Sequence, residues 1–207
     1  APLGELPVLV HTLYAFQDCP AVDEIVVVVR EDLLVEVGRL CKEFVFDKVT
    51  KVVVGGMERI HSVQAGLREV RPDAALIAIH DGARPLVSQE IIRDAVARAA
   101  ITGAAAPAIP LTDTIKREDG GLTVETVDRS QLWAVQTPQV FEAGLIRAAT
   151  QKALDDGEVL TDDCGAVERL GMKVTLTSGS RENLKVTTPL DLILGEAILR
   201  ARAEGVL

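Results

Sequence analysis

Ala74–Pro85, AALIAIHDGARP, is the stretch on which the fold turns. Ala74–Ile79 is apolar without alternation, the pattern of a strand covered on both faces. It stops at His80-Asp81-Gly82, so a carboxylate emerges at the carboxyl end of a buried strand, with Ala83-Arg84-Pro85 following. In open α/β sheets that edge is where ligands bind. Upstream, Glu24–Val29 (EIVVVV) is a second buried strand followed by a helix at Asp32–Cys41, and Lys51–Val54 is a short strand before a helix at Arg59–Val70. Val8–Gln17 reads as a helix ahead of them. Downstream, Ser88 caps a helix running to about Ala100, and Ala104–Ile109 is a further strand leading into Pro110. Strands alternating with helices predict one α/β domain over residues 1–207, Rossmann-like, on a mostly parallel sheet.

Beyond Pro110 the pattern changes. Thr114–Glu118 and Leu122–Val127 flank Asp119-Gly120-Gly121, a turn chemistry that suits a tight hairpin with positive φ. Lys116, Arg117, Glu118 and Glu125 are too polar for a sheet interior, so this hairpin should project, with residues 112–138 forming an arm that cannot bury its apolar side alone. A helix from Glu142, a helix near Asp162–Leu170 and a strand at Lys173–Thr177 follow. The last helix opens with Thr188 as cap, Pro189 in the first position and Asp191 closing the capping pattern.

The aliphatic bulk supports this reading: 48% of residues are hydrophobic and only 3% aromatic. A net charge of −9 (22 Lys and Arg against 31 Asp and Glu) argues against nucleic acid or an anionic membrane as partner, but not against a small anion needing a few local cations. Cys19, Cys41 and Cys164 are scattered, with neither metal-ligand nor disulfide spacing, which points to a reducing cytoplasm. No apolar run approaches the ~20 residues that span a bilayer.

Several blocks carry candidate chemistry. Gly55-Gly56 follows a strand directly and lets backbone approach a ligand, with Ser62 one turn into the next helix; a plain tight turn is the alternative. Asp81 is placed to hold Mg²⁺ against phosphate oxygens, Gly82 leaves room for a nucleotide, and Arg84 offers a fork for phosphate or for Asp81 itself. In DRSQLWAVQTPQVF (Asp128–Phe141), Arg129 can bind a phosphate and Thr137 support it, while Trp133 reads as packing. Lys185, just before a helix N-terminus, adds a point charge to an anion site or is simply solvated. Asp162 and Asp163 can hold an ion, though acids after Thr161 more simply favour a helix start.

These blocks together, GGMERIHSVQAGL, HDGARP, DTIKR, DRSQLWAVQTPQVF, TDDCGAVERLG and NLKVTTPLDL, resemble the 2-C-methyl-D-erythritol 4-phosphate cytidylyltransferases of the non-mevalonate isoprenoid pathway, from about Leu6 to Ala203. The resemblance implies that Gly55, Gly56, Met57, Ser62, Asp81 and Gly82 meet CTP, with Asp81 also on Mg²⁺. It implies that Arg84, Thr114, Arg129, Thr137 and Lys185 hold the sugar-alcohol phosphate, with Lys185 and Arg129 catalytic. It further implies a homodimer whose arms interlock, so that Thr114 and Arg129 serve the neighbouring site. Where the family often has aspartate this chain has Met57, leaving a backbone contact only; where it often has alanine this chain has Gly82, a tolerable change.

The family opens with a strand and a glycine-rich loop bearing an arginine and a Pro-Lys-Gln-like stretch, and none of these precedes Leu6. The expectation is that roughly 20 residues or more lie outside the sequence or are disordered, as phosphate loops often are. The reaction implied is in-line attack of a phosphate dianion on the α-phosphorus of CTP, without a covalent intermediate. The alternatives are a ribitol 5-phosphate cytidylyltransferase, which shares the aspartate-arginine-proline and Gln-Thr-Pro-Gln blocks, and a non-catalytic nucleotide-binding dimer. A fusion to the cyclodiphosphate synthase of the same pathway finds no support in a chain whose last element is a simple helix.

Overall fold

The computed structural model describes residues 1–207. A short antiparallel pair, β1 (Pro2–Leu3) and β2 (Leu6–Pro7), leads into α1 (Val8–Gln17). Then come β3 (Ile25–Val29), α2 (Leu34–Glu43), β4 (Val49–Val54), α3 (Arg59–Glu69), β5 (Leu76–Ile79), α4 (Gln89–Thr102) and β6 (Ala104–Pro110). The second half holds β7 (Ile115–Asp119), β8 (Leu122–Val127), β9 (Trp133–Val135), β10 (Gln139–Glu142), α5 (Ala143–Asp155), α6 (Asp163–Arg169), β11 (Thr175–Ser178) and α7 (Pro189–Ala203). The α/β class and nearly every helix expected from periodicity are present. Ser88 caps α4 by accepting from Ile91 N, and Thr188 and Asp191 form the full capping box of α7.

The main sheet runs β11-β6-β10-β5, with β9 also on β6. β11 is parallel to β6, and β10 is antiparallel to both β6 and β5, so β5, β6 and β11 share one direction around a reversed strand. β10 was not foreseen: Gln139–Glu142 is too short and too polar at its ends to read as a strand, yet its middle, Val140 and Phe141, is fully buried. β3 and β4 pair in parallel as a separate sheet. β3 and β5, in separate sheets, both line a 640 Å³ cavity, with Leu9, Leu13 and Phe16 of α1 and Val63 and Leu67 of α3.

The apolar core divides accordingly. One cluster packs α1 and α2 on β3 through Val10, Leu13, Val27, Val37, Cys41 and Phe46. The other packs α5 and α6 on β5, β6 and β10 through Ile77, Ala104, Phe141, Ile146 and Val167. The interior of β6, Ala104-Ala105-Ala106, is fully buried, small residues letting helices approach closely. β7 and β8 form a hairpin closed by Gly120 and Gly121 at φ +57° and +83°, conformations glycine takes without a Cβ penalty. The hairpin is exposed along nearly its whole length. Trp133, expected to pack, is 47% exposed on edge strand β9. No helix is long and apolar enough to cross a membrane.

Two glycines give opposite expectations. A Cβ at Gly179 would lie 3.0 Å from the Ala108 carbonyl, which belongs to the buried sheet and cannot yield, whereas one at Gly38 in α2 would meet nothing within 4 Å. Urea unfolding should show Gly179→Ala destabilised by about 1–3 kcal/mol and Gly38→Ala stabilised by about 0.5–1 kcal/mol.

Candidate active site

The carboxyl end of β5 delivers His80-Asp81-Gly82-Ala83-Arg84 into a tight loop closed by the Arg84 N–H donating to the Asp81 carbonyl at 2.9 Å. Buried hydrogen bonds hold this loop in place. The Asp81 N–H donates to Thr137 Oγ1 at 3.1 Å, and Thr12 Oγ1 of α1 donates to the Gly82 carbonyl at 2.9 Å. The Val186 N–H donates to the Ala83 carbonyl at 2.7 Å, and Arg84 Nη1 to the Asn183 carbonyl at 2.7 Å. The Asn183–Pro189 segment is therefore sewn onto the His80–Pro85 loop, and Lys185 arrives beside Asp81.

The resulting charge group is compact. Lys185 Nζ lies 3.1 Å and Arg84 Nε 3.4 Å from Asp81 Oδ2. Asp81 and Arg84 are mostly buried, Lys185 half-exposed. Burial pushes the Asp81 carboxyl upward, but the Lys185 hydrogen bond and charge, with Arg84 and Arg59, outweigh it and hold Asp81 below the usual carboxylate range. Burial lowers the Arg84 guanidinium, with Asp81 opposing. Arg84 Nε is buried, and its 3.4 Å contact with Asp81 Oδ2 is an ion pair without good hydrogen-bond geometry.

His80 is a positioning group. It is half-buried and packs on Phe16, ring centroids 4.7 Å apart, with Nδ1 3.0 Å from Thr137 Oγ1 and Nε2 3.2 Å from the Arg84 carbonyl. Thr137 Oγ1 already accepts from Asp81, so its own proton points to Nδ1, and Nε2 carries the ring proton donated to Arg84. Burial pushes the His80 pKa down to about 4. A neutral ring with both nitrogens spent orients its neighbours and offers no base.

The glycine loop is tied to the 640 Å³ cavity through Ser62, which lines it with Arg59, Asp81 and Gly82. Ser62 Oγ accepts from the Gly56 N–H at 3.2 Å and folds the loop onto α3. A Cβ on Gly56 would sit 2.3 Å from His61 Cβ, and one on Gly55 2.5 Å from Ser62 Oγ, so both glycines are required by close approach. A Cβ on Gly82 would make only ordinary contact with Leu9 at 3.4 Å. Met57 projects entirely into solvent at the loop tip.

The structure thus brings together Gly55, Gly56, Ser62, Asp81, Gly82, Arg84, Thr137 and Lys185. Thr137, expected on a phosphate, is 4% exposed and its hydroxyl is committed to Asp81 and His80. Thr114 and Arg129, at the two feet of the hairpin, are exposed and make no side-chain bond to the Asp81 group. The sequence reading passed over Thr12, His80, Gln136 and Asn183. Gln136 donates to the Ser180 carbonyl and accepts from Ser180 N and Asn183 Nδ2, tying β9 to the lysine segment. Polar residues inside the quoted blocks were the available signal; Thr12, on an otherwise apolar helix, had none.

His80 predicts an acid dependence. Its folded pKa lies below the ordinary histidine value of 6.5, so the native state binds fewer protons than the unfolded chain between pH 6.5 and about 4. Its stabilising contribution is complete above pH 6.5 and is lost as pH falls toward 4, by about 3 kcal/mol at most. Urea unfolding from pH 7 to 4.5 should show a steeper loss for the wild type than for His80→Gln, which still reaches the Arg84 carbonyl but gains no proton.

Comparison with known proteins follows the same lines. The enzyme named 2-C-methyl-D-erythritol 4-phosphate cytidylyltransferase from Halalkalibacterium halodurans is 45% identical over 197 residues, 95% of this chain and 86% of that one. The enzyme of that name from Alkaliphilus metalliredigens is 44% identical over 206 residues, 98% and 85% of the two chains. The crystal structure of the Thermus thermophilus enzyme superposes with a TM-score of 0.84 at 32% identity, covering 96% of this chain and 92% of that one. The Anaerococcus prevotii 4-diphosphocytidyl-2C-methyl-D-erythritol synthase gives 0.87 at 29%, covering 96% and 88%. The family profile described as 2-C-methyl-D-erythritol 4-phosphate cytidylyltransferase matches residues 2–201, and the chain belongs to that family of nucleotidyltransferases.

Proposed function

We propose that this protein transfers CMP from CTP to 2-C-methyl-D-erythritol 4-phosphate and releases pyrophosphate. The observation that carries the reading is one largely buried carboxylate, Asp81, flanked by Arg84 and Lys185 at a strand's carboxyl end and lining a cavity together with Ser62. Family membership supports the choice of both substrates.

The residues fit a hard divalent cation such as Mg²⁺. Asp81 stays ionised, and one carboxylate completed by substrate phosphates and water is the usual Mg²⁺ arrangement; no group of three or more His, Cys, Asp or Glu forms an all-protein cage. Asp81 would hold the ion, which when bound neutralises charge on the triphosphate. Lys185 then turns from Asp81 to the phosphates, since its side chain is half-exposed and its only ion-pair partner is the one the cation takes. Gly55, Gly56 and the backbone of Met57 line the nucleotide with Ser62, and Arg84 adds its guanidinium charge beside the phosphates.

The attacking group needs no base: a phosphate monoester with a second pKa near ~6 is mostly dianionic at pH 7. That agrees with a site in which the histidine beside Asp81 is neutral and has both ring nitrogens engaged. Catalysis is then positioning and charge neutralisation. In this reading Thr137 acts through Asp81, while Arg129 and Thr114 reach the acceptor of a neighbouring subunit, with residues 112–138 as a dimerisation arm. The exposed apolar side chains Leu122, Val124 and Trp133 along that arm support a homodimer. Three buried free cysteines support a cytoplasmic setting.

Pyrophosphate release with CTP and Mg²⁺ should occur with methylerythritol 4-phosphate and not with ribitol 5-phosphate; the reverse preference would move the enzyme to another pathway. Arg129→Ala should raise KM for the sugar phosphate and lower kcat with little change for CTP, and unchanged kinetics would remove Arg129 from the site. Gly56→Ala should raise KM for CTP about tenfold or more, while Gly82→Ala stays within twofold of wild type.

A further inference from the structure

Asp162 and Asp163, candidates for an ion site in the sequence, are fully engaged elsewhere. Asp162 Oδ1 accepts from Gly165 N at 3.0 Å, capping α6, and Oδ2 accepts from Gln139 Nε2 at 2.8 Å. Asp163, 5% exposed, takes both of its contacts from Arg59: Nη1 to Oδ1 at 2.9 Å and Nη2 to Oδ2 at 2.5 Å. Neither carboxylate is free for a cation.

We propose that the Arg59–Asp163 pair is a positioning clamp for nucleotide binding, setting the first turn of α3, and with it Gly56 and Ser62, at a fixed distance from Asp81. Arg59 is the first residue of α3 and Asp163 the first of α6, so the bidentate contact joins two helix starts directly. Asp163 is anchored to the sheet: Gln139 Oε1 accepts from Asp163 N and Cys164 N, both at 3.0 Å, and Gln139 is itself 2% exposed. Gln139 lies two residues past Thr137, whose hydroxyl holds the Asp81 N–H. A continuous rigid path therefore runs from Asp81 through β10 and the α6 start to Arg59, then to Ser62 and the Gly56 N–H it holds. Arg59 also lines the cavity beside Asp81, and its charge acts on the Asp81 carboxylate. A partly buried ion pair such as this, with Asp163 buried and Arg59 about a third exposed, adds little net stability, because desolvation offsets attraction; a planar two-point contact fixes geometry instead. Without it, α3 is free to shift against β10 and the glycine loop loses its register with Asp81.

The clamp rests on the proposed use of CTP, and the test separates the two. CTP binding with Mg²⁺, without acceptor, is measured by calorimetric titration for wild type, Arg59→Ala, Arg59→Lys, Asp163→Asn and the double variant Arg59→Ala/Asp163→Asn, with melting temperature and acceptor KM alongside. The single variants should bind CTP about tenfold more weakly, in line with losses of supporting contacts behind ligand-binding groups, and acceptor KM should stay within twofold. The double variant should be no weaker than the worse single one, since one contact is broken in all three. Arg59→Lys should recover part of the affinity. Unchanged CTP affinity with a lowered melting temperature would make the pair a stability feature only. Additive losses in the double variant would mean that Arg59 acts on the ligand and not through Asp163. If Arg59→Ala does not fold, Asp163→Asn, nearly isosteric, decides alone. Absence of CTP binding by the wild type would overturn the functional reading itself, whatever the variants do.

Discussion

The architecture depends on one hydrogen bond more than any other, the Asp81 N–H to Thr137 Oγ1. It joins the end of β5 to the entrance of β10, the two strands that run side by side through the main sheet. A carboxylate kept ionised while largely buried must be fixed relative to its counter-charges, because the attraction that offsets desolvation falls off with distance. Thr137 supplies that fixity, and His80 completes it by taking the threonine proton and spending its own on the Arg84 carbonyl. Three consecutive features of the loop, the position of Asp81, the direction of Arg84 and the neutrality of His80, are thereby a single arrangement.

Around this point the polar interior is a network and not a set of separate contacts. Gln136 and Asn183 bind one another and bring the lysine segment to Asp81, and Gln139 brings the start of α6 to the same strand. Such buried amides are costly unless nearly every donor and acceptor is used, and when used they specify one arrangement among many. The apolar cores flank this network on two sides, one on β3 and β4 and one on the main sheet, and residues of both line the cavity beside Asp81. The site therefore needs rigid polar links across a boundary that apolar packing alone would leave loose.

Much of this was legible in the residues. The aliphatic runs Ile25–Val29 and Ala74–Ile79 and the capping pattern at Thr188 are local signals, set by strand burial and by backbone donors at a helix start, and they placed the elements to within a few residues. The Gly55-Gly56 and His80–Pro85 blocks stood out because their residue types are demanded by close backbone approach and by charge at a strand end. β10 escaped because a four-residue strand buried between two others has no periodicity to show. Thr137 reads in the sequence as a ligand contact, because a hydroxyl in a conspicuous block looks the same whether it faces a phosphate or a main-chain amide, and the fold sets it on the Asp81 amide.

By itself, then, the sequence determined the α/β class, the order of elements, the chemical character of the site and its family, since these follow from local pattern and from residue types in a fixed order. Only the tertiary structure decided that β10 runs reversed between β5 and β6, that Lys185 and Arg84 meet on one oxygen of Asp81, and that Asp163 belongs to Arg59 and not to an ion. Those facts join residues about a hundred positions apart, such as Arg59 with Asp163 or Asp81 with Lys185. The pairing of distant charges and buried amides is settled by which partners folding brings within hydrogen-bond reach, and no local pattern along the chain encodes it.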